Sequence, residues 1–179
     1  MLKKLLLTVI AAVLLFAGYV ALQPAEYRVT RSTVIAAPPE AVFANINDFH
    51  KWDAWSPWAK RDPNAKATFS GAPAGKGAVL GWSGNSDVGE GSMTIVESRP
   101  AQAVGIKLAF AKPMQGEADA AFALKPEGSG THVTWTLNGR SSFIDRAICT
   151  LMGGMERILG PDYEKGLANL KAVTEAQKG

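Results

Sequence analysis

Hydrophobic positions change their spacing along the chain, and each spacing predicts a different structure. Residues 5–22 read LLLTVIAAVLLFAGYVAL, a run without a charged side chain. As a helix this run is about 27 Å long, close to the ~30 Å hydrocarbon core of a bilayer. Lys3 and Lys4 stand just before it. We predict a membrane-spanning helix. A cleaved signal sequence is the alternative, although its apolar region is usually shorter, about 7–15 residues.

Beyond this run the spacing indicates a mainly antiparallel sheet. A first strand is followed by PPEAVFANI, which reads as a helix start with Pro39 in an early position. Apolar and polar residues then alternate with a period of two, interrupted by turn sequences such as PEGSG. The predicted strands cover residues 27–36, 67–70, 78–82, 91–98, 103–110, 117–124 and 131–137. Closely spaced strands of this kind predict a meander with one buried face.

The last third of the chain returns to helical spacing. Ser142 and Asp145 have the spacing of a capping box. An apolar stripe follows, made of Ile144, Ile148, Leu151, Met152, Met155, Ile158 and Leu159. We expect the stripe to cover the apolar face of the sheet. Gly160 and Pro161 are expected to interrupt the helix before it continues to about residue 176.

Together these elements predict an α+β domain with the helix-grip arrangement, in which a curved antiparallel sheet wraps around a long C-terminal helix. A single N-terminal transmembrane helix precedes it. We assign residues 1–23 to the membrane anchor or signal sequence and residues 24–179 to the globular domain. The length is that of about one domain with a sizeable core.

The charge balance argues against a nucleic-acid partner. The chain carries 19 Lys and Arg against 16 Asp and Glu, and without Lys3 and Lys4 the count is 17 against 16. No basic stripe remains to attract phosphates. Lys3 and Lys4 favour a cytoplasmic N-terminus, although Arg28 and Arg31 beyond the span oppose this orientation. We therefore expect a single-pass membrane protein with its domain on the extracytoplasmic, periplasmic side.

Residues with obvious chemistry are few. His50 and His132 are the only histidines and there is one cysteine, too few for the usual zinc sites. Neither of the two standard types of glycine-rich phosphate-binding motif is present in the sequence. Glu117 and Asp119 alternate with apolar residues and are expected to point to solvent, whereas Glu90 is left open as an acid. We assign no catalytic residue, metal ligand or cofactor.

Several segments resemble one known family. TRSTVIAAPPEAVFANINDFHKWDAWSPW, GEGSMTIVESRP, GTHVTWTLNG and GPDYEKGLANLK are similar to the bacterial polyketide cyclase/dehydrase branch of the START-like, or SRPBCC, superfamily. The resemblance covers residues 27–176. It implies a helix-grip fold with an apolar cavity between the sheet and the final helix, and the binding of a ligand there. It implies no shared set of catalytic residues.

A candidate ligand site follows from the resemblance and from residue size. Small side chains on the inner face of one strand, at Gly116, Ala118 and Ala120, leave volume where a filled core needs bulk. The segment HKWDAWSPW places three tryptophans within seven positions, either as a plug in the core or as part of a pocket mouth. The candidate ligand-binding residues are Trp55, Trp58, Trp82, Phe110, Ala118, Ala120, Trp135, Met152 and Met155.

Three functions remain open at this point. The first is a membrane-anchored binding protein for an apolar small molecule or lipid. The second is an enzyme of the cyclase, dehydratase or hydrolase kind that uses the same cavity, which requires a polar residue pointing inward. The third is a module that binds another envelope protein. The sequence does not name the ligand, a protein partner or the oligomeric state.

Overall fold

The computed structural model describes residues 1–177. It contains seven strands, four α-helices and one short 3-10 helix. The strands are β1 (Glu26–Ile35), β2 (Lys66–Gly71), β3 (Ala78–Ser83), β4 (Glu90–Arg99), β5 (Ala103–Lys112), β6 (Gly116–Glu127) and β7 (Gly130–Arg140). The helices are α1 (Leu2–Leu22), α2 (Pro39–Ile46), the 3-10 helix (Phe49–Ala54), α3 (Phe143–Leu151) and α4 (Met155–Ala176). All seven predicted strands are present.

The strands form a single antiparallel sheet in the order β1-β7-β6-β5-β4-β3-β2. β1 pairs with β7, the last strand of the chain. β1 and β2 stand at the two ends of this order and form the edges of the sheet. We call the end where β1 begins at Glu26 and β7 ends at Arg140 the α1 end, because α1 joins the domain there. We call the opposite end, with Ile35 and Gly130, the far end.

Helix α4 covers the inner face of the sheet, and the predicted helix-grip arrangement is confirmed. Tyr163, Leu167 and Leu170 are its buried apolar residues. Arg31 on β1 also bonds Glu156 and Glu164 of α4, at 2.7 and 2.8 Å. Because both carboxylates are exposed, each ion pair contributes about 1 kcal/mol or less. Apolar burial therefore holds α4 on the sheet.

The far end of the interior is filled. Helix α2 and the 3-10 helix lie over it and add their own apolar side chains to those of the strands. The fully buried aliphatic residues there are Ile35, Val42, Ile46, Ile95, Val104, Val133 and Leu170. Pro39 starts α2 as the sequence predicts, at the first helical position.

The break in the C-terminal helical region lies elsewhere than the sequence predicts. Pro161 is inside α4, and the chain turns instead at Gly153 and Gly154, whose φ angles are 90° and 95°. Only glycine adopts such angles without steric cost, so these two residues end α3. Packing of Tyr163 and Leu167 against the sheet carries α4 through Pro161 despite the lost backbone hydrogen bond.

The predicted apolar stripe also divides at this break. Leu159 and Met155, on α4, pack against the core. Ile144, Ile148 and Leu151, on α3, point away from it and are exposed. The expectation that the whole stripe covers the sheet is therefore wrong for α3. The capping box of Ser142 and Asp145 that starts α3 is confirmed.

Helix α1 has the length and composition to cross a membrane, and an N-terminal signal sequence satisfies the same criteria. Almost all of its side chains are exposed; Val20, near its end, is buried. The last turns of α1 lie against α3. A bond of 2.7 Å from Arg146 Nη1 of α3 to the carbonyl of Gln23 fixes the point where α1 ends.

Candidate functional site

A cavity of about 440 Å³ lies between α4 and the sheet, in the half nearer the α1 end. Its volume falls within the range of about 300–1,000 Å³ that is usual for small-molecule sites. Strands β2 to β7, α4, the 3-10 helix and the segment after it contribute side chains. The apolar lining includes Phe49, Trp52, Trp58, Phe69, Leu80, Trp82, Met93, Ile106, Leu108, Phe110, Ala120, Trp135, Leu137, Leu159 and Tyr163.

Two members of a stack of three aromatic rings, Trp135 and Tyr163, line the cavity. Trp135 of β7 lies between Phe122 of β6 and Tyr163 of α4, with ring centroids 4.8 and 4.0 Å apart. Trp58 meets the edge of this stack, 5.9 Å from Trp135 and 6.1 Å from Tyr163. Gly166 permits the close approach of α4, because a Cβ there would come within 2.7 Å of Trp135 Cζ3.

Two further aromatic residues border the cavity near the α1 end. Trp82 of β3 lies across Gly91 of β4 and meets the Phe110 ring edge to face at 5.9 Å. A Cβ at Gly91 would come within 2.5 Å of Trp82 Cζ2, so this position requires glycine. Trp82 Nε1 donates to the carbonyl of Val88 at 3.2 Å, which fixes the indole. Phe110 keeps 36% of its surface exposed, which places it at the mouth.

The edge strand β2 provides the remaining wall. Phe69 stacks on His50 of the 3-10 helix with centroids 4.2 Å apart. Asp48 holds His50 in place, because its carboxylate accepts the His50 backbone N–H at 2.9 Å and contacts Nδ1 at 3.0 Å. The contact between two exposed rings joins β2 to the 3-10 helix across the cavity.

The tryptophan cluster has two roles. Trp55 is the plug: it is fully buried, meets Phe122 and Trp135 edge to face, and donates from Nε1 to the Asn45 carbonyl at 3.1 Å. Trp58 faces the cavity instead. Trp52 does both, since it lines the cavity and donates to the Ile46 carbonyl at 2.9 Å.

The structure brings together five of the nine residues predicted for the ligand site. Trp58, Trp82, Phe110, Ala120 and Trp135 all line the cavity. The remaining four, Trp55, Ala118, Met152 and Met155, lie outside its lining.

A structural reason explains why each of these four residues lies outside the cavity lining. Trp55 is covered by the aromatic stack. Ala118 is buried beside its register partners Leu108 and Gly139, one step closer to the α1 end than Ala120. Met155 packs against the core from the first turn of α4. Met152 caps the outward-facing α3 and is exposed.

Sequence reasoning missed several lining residues. Ile106 and Leu108 share the inner face of β5 with Phe110, so strand alternation points to them. Leu159 and Tyr163 are four residues apart on α4 and share one helix face, which the predicted helix break concealed. No local signal marks Phe69, because its strand has no buried side chain.

The polar groups of the cavity lie on α4, β7 and the rim. Burial raises the pKa of the Tyr163 hydroxyl, with a smaller contribution from Tyr27, so the group stays protonated through the neutral range. Trp135 Nε1 is buried without an acceptor among residues 1–177. At the rim, Asp62 accepts backbone N–H groups of Asn64 and Asn85, at 2.9 and 2.7 Å.

The acids considered from the sequence do not line this cavity. Glu90 bonds Lys112 and Ser83 at 3.1 and 3.2 Å. Asp119 is exposed, as the strand phase predicts, and His132 likewise lies outside the lining. Within the described part of the chain, no group of three or more His, Cys, Asp and Glu side chains is placed to hold a metal ion.

Comparison with known proteins gives a family. Residues 26–175 match the family model described as polyketide cyclase / dehydrase and lipid transport. The match spans the whole sheet and nearly all of helix α4, and it leaves out α1. No curated protein matches the sequence.

Solved structures share the fold at low sequence identity. Protein CV1439 from Chromobacterium violaceum is 18% identical, covers 86% of this chain and 99% of its own length, and superposes with a TM-score of 0.57. The Aha1 dimer from Colwellia psychrerythraea is 18% identical with the same coverage and a TM-score of 0.59. The di-domain ARO/CYC StfQ from the steffimycin biosynthetic pathway is 12% identical, with 86% of this chain and 52% of its own covered and a TM-score of 0.60.

Proposed function

Because the chain belongs to the polyketide cyclase / dehydrase and lipid transport family, we propose that it binds an apolar small molecule or lipid in the cavity between α4 and the sheet. The observation that carries the proposal is the cavity itself. It is about 440 Å³ in volume and mainly apolar in lining, in a domain whose far end is filled. A close-packed interior leaves few voids larger than a water molecule, so a space of this size calls for an occupant.

The lining suggests how such a ligand is held. Leu108, Met93 and Leu159 offer flexible aliphatic contacts, and Met side chains adapt to irregular shapes. Burial raises the pKa of Tyr163, so its hydroxyl stays protonated and able to donate, and Trp135 Nε1 is buried without an acceptor within residues 1–177. A ligand with an apolar body and one hydrogen-bond acceptor fits this arrangement.

Helix α1 serves in this proposal as the membrane anchor of the binding domain. Its apolar run matches the bilayer core, and its side chains are exposed over nearly the whole length. Lys3 and Lys4 suit the cytoplasmic interface and support an extracytoplasmic position of the domain, against the opposing charges of Arg28 and Arg31. An intact N-terminus on protein that stays in membranes after an alkaline wash supports the anchor; a shortened, soluble chain identifies a signal sequence.

Ligand binding can be tested by tryptophan fluorescence, because four of the five tryptophans line the cavity. The full chain in nanodiscs is titrated with dibromostearate, with stearate as the unbrominated control. We expect saturable quenching with dibromostearate alone, since bromine quenches indoles in contact with it. Lipids extracted from the purified protein are identified in parallel by mass spectrometry.

The matched variants are Ala120→Leu and Ala121→Leu, neighbours on opposite faces of β6. Leucine at position 120 fills part of the cavity and should weaken binding by about tenfold or more, since displaced apolar contacts are worth about 1–3 kcal/mol. Leucine at the exposed position 121 should leave it unchanged. Equal quenching in both variants, or a protein that carries no lipid and is not quenched, contradicts the proposal.

A further inference from the structure

Helix α3 turns its apolar side to the outside of the domain. Ile144, Ile148, Leu151 and Met152 follow the spacing i, i+4, i+7 and i+8, so they form one stripe, and all four are exposed. Leu151 exposes 75% of its surface and Ile144 67%. An amphipathic helix of a water-soluble domain normally turns such a stripe toward the core. A contiguous exposed apolar surface marks a contact with a partner or a membrane.

Polar contacts start α3 and hold the side opposite the stripe. The side chain of Ser142 accepts the backbone N–H of Asp145, and the Asp145 carboxylate accepts the backbone N–H of Ser142 in return. Arg146 reaches from the opposite side of α3 to the Gln23 carbonyl. Cys149 is partly buried on the inner side, where burial raises the pKa of its thiol. The stripe therefore faces outward, because the opposite side of α3 is bonded to the end of α1.

The position of the stripe relates it to α1. The last turns of α1 contact α3, and Val20 is buried near that junction. If α1 crosses the bilayer, Gln23 leaves it at the interface, and α3 lies beside this exit point. The α3 stripe therefore lies beside the point where the apolar surface of α1 ends, and a nine-residue helix, about 13 Å long, is long enough to lie in the plane of the interface.

The cavity is displaced toward the same end of the domain. Phe110 and Trp82 border it where β5 and β3 end, and the turn between β5 and β6 exposes Met114. Because neighbouring strands are antiparallel, these strand ends share the α1 end with the start of β1. The mouth of the cavity and α3, which follows the end of β7, therefore lie at the same end of the domain.

We propose that α3 lies in the membrane interface with its Ile144–Met152 stripe among the acyl chains, and that this contact turns the mouth of the cavity toward the bilayer. The inference rests on the proposed anchoring by α1. It adds a second membrane contact, the side of the domain that faces the lipid, and the bilayer as the source of the ligand. The occupant of the stripe is lipid rather than a second copy or another protein.

Spin labels on the full chain test the contact. In a Cys149→Ser background, single cysteines replace Ile144, Leu151, Ile10 or Glu127, and the protein is reconstituted in phosphatidylcholine and phosphatidylglycerol vesicles. Ile10 lies in the middle of α1, and Glu127 ends β6 at the far end. Collisions of each label with oxygen, which concentrates in lipid, are compared with collisions with a water-soluble nickel chelate.

We expect the ratio of oxygen to nickel accessibility at Ile144 and Leu151 to be several-fold higher than at Glu127 and to approach the ratio at Ile10. Nickel access at Ile144 and Leu151 equal to that at Glu127 overturns the inference. Low access to both reagents also overturns it, because a protein partner or second copy then covers the stripe. A water-exposed Ile10 label shows instead that the anchor has failed. Quenching by dibromostearate separately reports on the cavity.

An Ile144→Glu, Leu151→Glu double variant provides a second measurement. Its rate of uptake of dibromostearate from vesicles should fall several-fold, whereas binding of dibromostearate added from solution should stay at the level of the unmodified protein. An uptake rate equal to that of the unmodified protein contradicts a role of the stripe in lipid contact. Far-ultraviolet circular dichroism checks that the variant is folded.

Discussion

Phe122 and Phe110 lie on neighbouring strands of the same sheet and on its same inner face, yet Phe122 is fully buried and Phe110 is 36% exposed. The difference follows from what covers each half of the sheet. Helix α2 and the 3-10 helix cover the far end and add Trp55, which meets Phe122 edge to face. Toward the α1 end, α4 and the 3-10 helix line the cavity without filling it.

The comparison shows that one sheet face can serve both stability and binding. Large side chains in contact on every side stabilise the filled half. Their dispersion and hydrophobic contributions to the free energy of folding add up in a close-packed interior. The open half leaves part of its apolar surface without protein partners, at a cost in stability that a ligand can offset. Mutations should therefore separate the two halves by their effects on stability and on binding.

The largest expected effect comes from matched truncations. Phe122→Ala should lower the free energy of unfolding by about 3–5 kcal/mol, because it creates a cavity among packed rings. Phe110→Ala should cost about 1 kcal/mol or less, because the ring is already partly solvated. Chemical denaturation of the full chain in detergent measures both. Equal losses would mean that the two halves are packed alike.

An intermediate effect is expected from matched enlargements two residues apart. Ala118→Leu should cost about 1–3 kcal/mol, since Ala118 is buried, lies outside the cavity lining and has Leu108 and Gly139 as its register partners. Ala120→Leu should cost less than about 1 kcal/mol, because its new methyl groups enter the cavity. The same denaturation assay compares them. A larger loss for Ala120→Leu would contradict the position of the cavity.

A smaller change in the free energy of unfolding is expected when the pH is raised. Burial raises the pKa of Tyr163 above its unfolded value near 10, so the stability that depends on the protonated hydroxyl is present below pH 10 and is lost as the pH rises. Between pH 8 and pH 11 the unmodified protein should lose about 1.4 kcal/mol more than Tyr163→Phe. Lysine titration is common to both proteins. Parallel curves would show that the hydroxyl is solvated.

Much of the fold could be predicted because strand alternation is a local property. The pattern around Glu117, Ala118 and Asp119 identifies the inner face of β6 without any knowledge of its neighbours, and burial confirms that assignment. The same holds for the capping box at Ser142, which depends on residues three apart. Such signals do not require knowledge of the tertiary structure.

The cavity lining and the C-terminal helices were harder to predict because they depend on contacts between distant segments. Whether Trp55 or Trp58 faces the cavity depends on how far the 3-10 helix reaches over the sheet. The spacing of hydrophobic residues in the sequence does not predict this distance. The apolar stripe of α3 reads like that of a core helix, although it faces away from the domain interior. Pro161 suggested a break that packing against the sheet overrides.

Strand β2 forms one wall of the cavity and differs from the other strands that line the cavity in having no buried side chain. It is an edge strand hydrogen-bonded to β3 alone, none of its side chains is buried, and the Phe69–His50 stack joins it to the 3-10 helix. Separating it exposes little new apolar surface, so its local opening costs much less than global unfolding. We therefore expect β2 to open locally while the remaining six strands stay paired.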